Sequence, residues 1–89
     1  MKILLIIPAY NEQDNILNVC DIIKDYNTKN KQKLDYIVIN DGSSDNTLKI
    51  LKDNKLNYIN LINNLGIGGA VQTGYKYAYE NEYDIAIQF

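Results

Sequence analysis

Three short apolar runs, each followed by a polar, turn-forming segment, constrain the fold of this chain more than any other feature. The turn-forming segments are residues 8–12, 40–45 and 64–70. Each one comes where a buried strand should end and a helix should begin. In an open α/β sheet such turns lie along one edge, outside the carboxyl ends of the strands, and ligands bind there. The pattern therefore predicts a site for a small polar ligand at that edge.

Four strands are predicted from the distribution of apolar residues. Residues 3–7 form a continuous apolar run, which is typical of a strand buried on both faces. The other strands are predicted over residues 36–39, 57–62 and 84–89.

Three helices are predicted between these strands. Asn11 is expected to cap the first helix, which precedes a polar, lysine-rich loop over residues 27–33. Its apolar residues at helical spacing are Ile16, Val19, Cys20 and Ile23. Ser43 or Ser44 is expected to cap the second helix, which ends near Asp53. The third helix follows a tight turn made by Gly66, Gly68 and Gly69.

The resulting order of elements, β-α-β-α-β-α-β, predicts an α/β fold. Strands that alternate with amphipathic helices imply right-handed crossovers between parallel strands. We therefore expect a small, mostly parallel sheet with helices on both faces. A chain of 89 residues can form one domain with a modest core.

Composition excludes several classes of function. The net charge is −2 and all nine basic residues are Lys, which leaves no basic footprint for a nucleic acid. The chain has no His, so the commonest general base and metal ligand is missing. A metal would need carboxylate oxygens, which favours Mg²⁺ or Mn²⁺. The single cysteine, Cys20, excludes an intrachain disulfide and is expected to be a buried structural thiol.

Asp41 is the sharpest candidate for a binding residue, because it is a carboxylate at the end of a predicted strand. A turn-stabilising role is the alternative, since an Asp-Gly-Ser-Ser sequence favours an Asx-type turn. Asp45 is better explained as an acid in the first turn of the second helix. The glycines of residues 64–70 suit either an anion-binding turn or close packing of a helix on the sheet, and they match no nucleotide-binding motif. Tyr10 suits either stacking on a base or packing.

Taken together and in this order, the segments resemble the amino-terminal half of family 2 inverting glycosyltransferases, which have the GT-A fold. The similarity is greatest to the polyprenyl-phosphate sugar synthases and polysaccharide-building members. It spans essentially all 89 residues. The matching segments are residues 8–12, 37–45 and 64–70, together with Gly74.

The resemblance implies a role for particular residues. The residues expected to contact the nucleotide are Pro8, Ala9, Tyr10, Glu12, Asp41 and Gly68. Among them, Tyr10 is expected near the uracil or guanine, Glu12 near the ribose, and Asp41 in a hydrogen bond to the base. The turn that contains Gly68 is expected to shape the pocket. Asn40 departs from the family, which usually has a second Asp at that position.

The implied activity is transfer of a sugar, with inversion, from a UDP- or GDP-sugar to a lipid-phosphate, glycan or protein acceptor. Members of this family hold Mg²⁺ or Mn²⁺ with an Asp-x-Asp motif just after the fourth strand, and the sequence ends where that motif should begin. Residues 1–89 are therefore expected to bind the nucleotide, to hold no metal, to lack an assignable catalytic residue and to be inactive alone. A cytoplasmic location is expected, at the membrane face if further segments anchor the protein.

Two other classes of protein are alternatives. A flavodoxin-like or receiver-like binding module fits the element order, but a receiver needs an acidic pair where Pro8 and Ala9 stand and an Asp where Asn63 and Asn64 stand. A nucleotidyltransferase would carry a Gly-rich loop with Arg and Lys after the first strand, and this sequence has no such loop there.

Self-association is also expected. The apolar residues of the fourth strand, Ile85, Ile87 and Phe89, have no predicted cover, and an unpaired apolar edge favours pairing with another chain.

Overall fold

A computed structural model describes all 89 residues and contains four strands and three helices in the predicted order. The elements are β1 (Ile3–Ala9), α1 (Ile16–Lys29), β2 (Leu34–Asp41), α2 (Thr47–Asp53), β3 (Tyr58–Leu61), α3 (Gly66–Glu80) and β4 (Ile85–Gln88). The strands form one sheet in the order β3-β2-β1-β4, and every pairing is parallel. The predicted α/β class and parallel sheet are confirmed.

The core consists of two apolar layers, one on each face of the sheet. Leu5 and Ile7 of β1 belong to the layer that packs against α1 and α2. Leu4 and Ile6 point to the other face and belong to the layer that includes Ala70 and Ala78 of α3. Helices therefore cover both faces, as the continuous apolar run of β1 predicted.

Close contact between α3 and β1 requires a glycine. A Cβ atom on Gly74 would lie 2.3 Å from Ile6 Cγ2, far inside van der Waals contact. The absence of a side chain at this position lets the helix approach the central strand.

The first helix differs from its prediction at both ends. It begins at Ile16, and it continues to Lys29, into the segment that was predicted to be a loop from residue 27. Asn11 does not cap it. Asn11 has a φ of +54°, and its side-chain oxygen accepts hydrogen bonds from the backbone N–H groups of Ser44 (2.8 Å) and Asp45 (3.3 Å). The expected cap residue thus joins two loops.

The second helix also begins later than predicted, and its expected caps were wrong. It starts at Thr47, with Asn46 at the N-cap position. Neither Ser43 nor Ser44 caps it. Asp45 precedes the first helical turn, where its Oδ1 accepts a hydrogen bond from the Thr47 backbone N–H at 2.9 Å. This carboxylate satisfies one of the free amides at the helix start.

The third helix begins earlier than the glycine pattern predicted. Gly66 is its first residue and has a φ of +80°, whereas Gly68 and Gly69 already lie inside its first turn. The connection between β3 and α3 therefore comprises residues 62–65, and all three glycines expected in the tight turn belong to the helix.

Three further features bear on the remaining predictions. Cys20 is buried, as expected. At the edge of the sheet, Ile85 and Ile87 of β4 are 38% and 47% exposed, and Phe89, which follows the strand, is 54% exposed. No helix combines the length and the apolar character that crossing a bilayer requires.

Candidate functional site

A cavity of about 340 Å³ opens at the carboxyl edge of the sheet, between the ends of β1 and β2 and the start of α3. Its lining residues are Pro8, Ala9, Tyr10, Glu12, Asp41, Asn64, Gly66 and Ile67. Five of the six residues singled out in the sequence therefore come together in one cavity. The sixth, Gly68, lies one residue beyond this lining, inside α3.

Asp41 is the best-fixed charged group of this cavity. It is the last residue of β2, and only 4% of its surface is exposed. Its Oδ1 accepts a hydrogen bond from the Leu65 backbone N–H at 2.7 Å. Its carbonyl oxygen accepts another from Asn64 Nδ2 at 3.0 Å. The Asp41 carboxylate therefore stabilises the connection between β3 and α3, and not the turn that directly follows Asp41 in the sequence.

The second carboxylate oxygen of Asp41 is free to bind a ligand. Oδ2 makes no hydrogen bond within the chain. Every buried side-chain oxygen or nitrogen in the structure has a hydrogen-bond partner, so the unpartnered Oδ2 must be accessible to solvent. An ionised carboxylate only accepts hydrogen bonds. A ligand group that meets Asp41 in this cavity is therefore expected to be an N–H or O–H donor.

Gly42 explains why the carboxylate can lie so close to the neighbouring loop. Its φ is +67°, a region that glycine adopts without strain. A Cβ atom there would lie 2.6 Å from Asn64 N and 2.9 Å from the Asn63 carbonyl carbon. The two loops therefore meet backbone to backbone directly beside Asp41.

The turn that carries Tyr10 and Glu12 is held by the β2–α2 loop. The Asn11 N–H donates to Ser43 Oγ, and the Glu12 N–H donates to Thr47 Oγ1, both at 3.0 Å. These bonds fix the backbone and leave the Tyr10 ring half exposed at the cavity. An aromatic ring in that position can stack on a planar ligand.

Asn40 has a role that sequence reasoning missed. It is 1% exposed; its Nδ2 donates to Asn60 Oδ1 at 2.9 Å, and its Oδ1 accepts from Ser43 Oγ at 2.5 Å. Because Ser43 Oγ also accepts from the Asn11 N–H, a continuous chain of hydrogen bonds joins β3 to the turn beside Tyr10. A polar residue among the buried positions of a strand was the available signal.

Asn64 lines the cavity but received no individual prediction as a binding residue. Its Nδ2 donates to the Asp41 carbonyl, while its Oδ1 accepts from the Gly66 N–H at 3.0 Å. One side chain therefore ties the end of β2 to the first turn of α3. An asparagine directly before a glycine-rich helix start is the pattern that would have indicated it.

The charges at the cavity are negative. Glu12 and Asp41 are its ionisable acids, and no Lys belongs to its lining. Nowhere in the structure do three or more His, Cys, Asp or Glu side chains converge as metal ligands would. The residues present therefore do not fit a metal site.

A second, larger cavity of about 470 Å³ lies at the opposite edge of the sheet, near the amino end of β2. Its lining is mixed, and it includes Cys20 and Tyr36. Burial raises the pKa of the Cys20 thiol, which makes it a poor nucleophile. None of the residues predicted to bind a ligand lies there.

An open, parallel α/β sheet with a polar cavity at the carboxyl ends of its strands defines a class of small-ligand-binding fold. Residues 4–85 match the sequence profile described as Glycosyl transferase family 2. The chain belongs to that family.

Relatives named as glycosyltransferases align over nearly the whole chain. A UDP-N-acetylglucosamine--dolichyl-phosphate N-acetylglucosaminyltransferase of Methanococcus voltae is 40% identical over a gapped alignment of 104 positions, which covers 98% of this chain and 39% of the relative. A dolichyl-phosphate beta-glucosyltransferase of Saccharomyces cerevisiae is 37% identical over 101 aligned positions, which cover 96% of this chain and 30% of the relative. The protein of the same name from Dictyostelium discoideum is 34% identical over 102 aligned positions, which cover 96% of this chain and 31% of the relative. The chain thus spans less than half the length of these relatives.

Proposed function

We propose that this chain forms the nucleotide-binding part of a glycosyltransferase that transfers a sugar, with inversion, from a UDP- or GDP-sugar to an acceptor. The observation that carries the proposal is the convergence of Pro8, Ala9, Tyr10, Glu12 and Asp41 on one cavity at the carboxyl edge of the sheet. Membership of glycosyl transferase family 2 supports it. The receiver-like alternative has no comparable support.

The proposed role of Asp41 follows from its free oxygen. Uracil presents a ring N–H at N3, and guanine presents one at N1, and either can donate to Asp41 Oδ2. Cytosine and adenine carry an unprotonated ring nitrogen at the corresponding position, which a carboxylate repels. A site built around this oxygen therefore favours UDP- or GDP-sugars over donors that carry cytosine or adenine.

The other cavity residues fit the rest of a nucleoside. The half-exposed Tyr10 ring provides a face on which the base stacks. Glu12 provides a carboxylate that accepts hydrogen bonds from ribose hydroxyls. Pro8 and Ala9 form the wall at the end of β1. Gly68 is proposed to lie beside the nucleotide at the start of α3, where the absence of a side chain leaves room.

The proposed reaction is a direct displacement at the anomeric carbon: an acceptor oxygen forms the new bond, and the nucleoside diphosphate leaves with the electrons of the broken bond. A hydroxyl acceptor would lose its proton to a general base, whereas a phosphate oxygen is already ionised. We propose a lipid phosphate as the acceptor, because three aligned relatives carry dolichyl phosphate in their names. Such an acceptor would place the reaction at the cytoplasmic face of a membrane. Mg²⁺ or Mn²⁺ is proposed for the longer enzyme; residues 1–89 do not fit it, and no step assigned to them uses it.

The proposal is tested by titrating the purified chain with UDP and GDP in a calorimeter. Asp41→Asn keeps an oxygen that can accept the Leu65 N–H, but it replaces the free carboxylate oxygen with an NH₂ group, which donates hydrogen bonds instead of accepting them. Loss of a hydrogen bond to a charged group should weaken binding of the preferred nucleotide by about 1.5–3 kcal/mol.

Asp14→Asn is the matched control. Asp14 is an exposed acid near the same edge that makes no side-chain hydrogen bond and does not line the cavity, so its substitution should leave affinity unchanged. Equal affinities of the parent and Asp41→Asn would show that the base-contact role is wrong. Failure of both nucleotides to bind would contradict the proposed function itself.

A further inference from the structure

We propose that Thr47 and Asp45 are positioning residues of the nucleotide site, which act by fixing the turn that presents Glu12 to the cavity. Neither Thr47 nor Asp45 lines that cavity. The inference rests on the proposed nucleotide-binding function and adds to it the part of the chain that holds the site in place. It is carried by the hydrogen bonds between residues 10–13, called here the binding turn, and residues 45–47 at the start of α2.

The backbone of Glu12 is held on both sides. Its carbonyl oxygen accepts hydrogen bonds from the backbone N–H groups of Asn15 (3.0 Å) and Ile16 (2.8 Å), at the start of α1. Its own N–H donates to Thr47 Oγ1 at 3.0 Å, at the start of α2. A residue outside regular secondary structure is therefore fixed between the first residues of two helices. These contacts set the direction in which the Glu12 side chain leaves the backbone.

The hydrogen bonds of the Thr47 hydroxyl can run in one direction only. Thr47 is fully buried, and its Oγ1 lies 2.5 Å from Asp45 Oδ1 as well as 3.0 Å from the Glu12 nitrogen. A hydroxyl has one proton, an ionised carboxylate only accepts, and a backbone N–H only donates. The hydroxyl proton therefore lies toward Asp45, and this leaves a lone pair of Oγ1 for the Glu12 N–H.

Asp45 holds Thr47 and the binding turn together. Its Oδ1 also accepts the Thr47 backbone N–H at 2.9 Å, and its Oδ2 accepts the Gln13 N–H at 3.3 Å. The side chain of Gln13 makes a bond in the opposite sense, because its Oε1 accepts the Asn46 N–H at 3.0 Å. Hydrogen bonds to an ionised group are stronger than those between neutral groups. The carboxylate is therefore expected to be the main support of this contact.

This contact orders the binding turn before a ligand arrives. A ligand that meets Glu12 then loses no affinity to the ordering of the turn, because its own chain has already ordered it. Without the Thr47 hydroxyl, the Glu12 N–H has no acceptor within the chain, and binding has to restore the turn. The loss of affinity is limited by the contribution of one hydrogen bond, a factor of about two to ten.

The test compares Thr47→Val, which has the shape of threonine but no hydroxyl, with Thr47→Ser, which keeps the hydroxyl. Each protein is titrated with UDP and with GDP, and the backbone amide signals of the isotope-labelled chain are followed by NMR. Thr47→Val is expected to bind the preferred nucleotide about fivefold more weakly than the parent, and Thr47→Ser within about twofold of it. The same spectra show whether each variant is folded.

Thr73→Val is the matched control. Its hydroxyl donates to the Gly69 carbonyl oxygen at 2.9 Å within α3, and Thr73 does not line the cavity. The same chemical change at this position should leave the affinity unchanged. Parental affinity in a folded Thr47→Val protein would overturn the inference and leave the proposed function intact. A parent chain that binds neither nucleotide would overturn both.

Glu12→Ala separates a positioning role from a merely structural one. If Thr47 acts through Glu12, adding Thr47→Val to Glu12→Ala should weaken binding by less than about twofold, because the group that is positioned has been removed. A loss as large as in the parent background would show that Thr47 supports the fold alone, and would overturn the inference.

Two variants of Asp45 decide the question if Thr47→Val does not fold. Asp45→Asn keeps an oxygen for the Thr47 hydroxyl, whereas Asp45→Ala removes it, so Asp45→Asn should retain more of the affinity. Equal affinities of the two would overturn the inference. Hydrogen exchange of the Glu12 amide gives a readout without ligand: it should be faster in Asp45→Ala than in the parent, and an unchanged rate would also overturn the inference.

Discussion

Gly42 shows how one residue can decide the geometry of the candidate site. Two constraints coincide there: a φ of +67°, and backbone atoms of the neighbouring loop within 3 Å of where a Cβ would lie. The strain cannot be relieved by moving a flexible side chain, because the obstructing atoms are backbone. The glycine therefore lets the loop of Asn64 and Leu65 reach Asp41.

We predict that Gly42→Ala destabilises the chain by roughly 2–3 kcal/mol, through the unfavourable φ and the steric clash together. Urea denaturation of the parent and the variant measures the change. Gly68→Ala is the matched control: Gly68 is helical, with no atom within 4 Å of the added Cβ. It should stabilise the helix by up to about 1 kcal/mol. A Gly42→Ala protein as stable as the parent would contradict the argument.

Asp45 gives a prediction about pH. Partial desolvation would raise its pKa, but hydrogen bonds from Thr47 and Gln13 outweigh that effect and lower the pKa below its ordinary value of 3.8. A carboxyl group whose pKa is lower in the folded state stabilises the fold above its unfolded pKa. That stabilisation is lost as the pH falls through the folded pKa.

Asp45→Asn should therefore reduce the loss of stability on acidification below about pH 4. The melting temperature, measured from pH 2 to pH 7 on parent and variant, tests this prediction. Asp14→Asn, in which no such hydrogen bonds are lost, should follow the parent curve. Parallel curves for the parent and Asp45→Asn would mean that these bonds contribute no pH dependence.

At the scale of elements, β3 influences the site without lining it. Its Asn60 accepts a hydrogen bond from the buried Asn40, and Asn40 accepts one from the Ser43 hydroxyl. That hydroxyl oxygen also accepts a hydrogen bond from the backbone N–H of Asn11. The amide of Asn40 donates on one side and accepts on the other. Asparagine therefore suits this position, where the family usually has a carboxylate.

We predict that Asn60→Ala costs about 1–3 kcal/mol, because it leaves Asn40 Nδ2 buried without an acceptor. Asn60→Asp retains an oxygen at that place and should recover most of the loss. Chemical denaturation of both variants measures the difference. Equal stabilities of the two would show that the lost hydrogen bond is not the cause.

Element order and strand ends could be predicted, and helix starts could not. Continuous apolar runs identify buried strands, and their carboxyl ends must share one edge, so Pro8, Tyr10 and Asp41 were placed together correctly. Asn11 has the chemistry of a helix cap, but the same side-chain oxygen serves equally well to bind amides of a neighbouring loop. Local sequence does not distinguish the two uses, because the competing partners are 33 residues away.

The glycine-rich segment shows the same limit. Gly66, Gly68 and Gly69 suggest a turn from their conformational freedom, but two of them continue the helix. Only Gly66 has a positive φ. Which glycine turns the chain is decided by the Asn64 and Asp41 hydrogen bonds, which depend on the assembled sheet.

At the scale of the whole molecule, cover on the two faces of the sheet is uneven. The α1 face is packed at β1 and β2, where Leu5, Ile7 and Val38 are buried. In register with β1, Ile85 pairs with Ile3 and Ile87 with Leu5, so both point to that face. Both are partly exposed there, at the edge of the sheet. The strand thus combines an unpaired backbone edge with uncovered apolar side chains.

We predict that the chain self-associates through β4, because pairing or burying this edge removes apolar surface from water and satisfies the free backbone groups. Sedimentation equilibrium over a range of concentrations measures the association. Ile87→Lys places a charge in the proposed interface and should weaken the association by at least about tenfold. Ile62→Lys is the control, since Ile62 is 90% exposed and lies outside the strands, so it should associate like the parent. A monomer at every concentration would exclude self-association. Equal dissociation constants for the parent and Ile87→Lys would show that the contact does not involve β4.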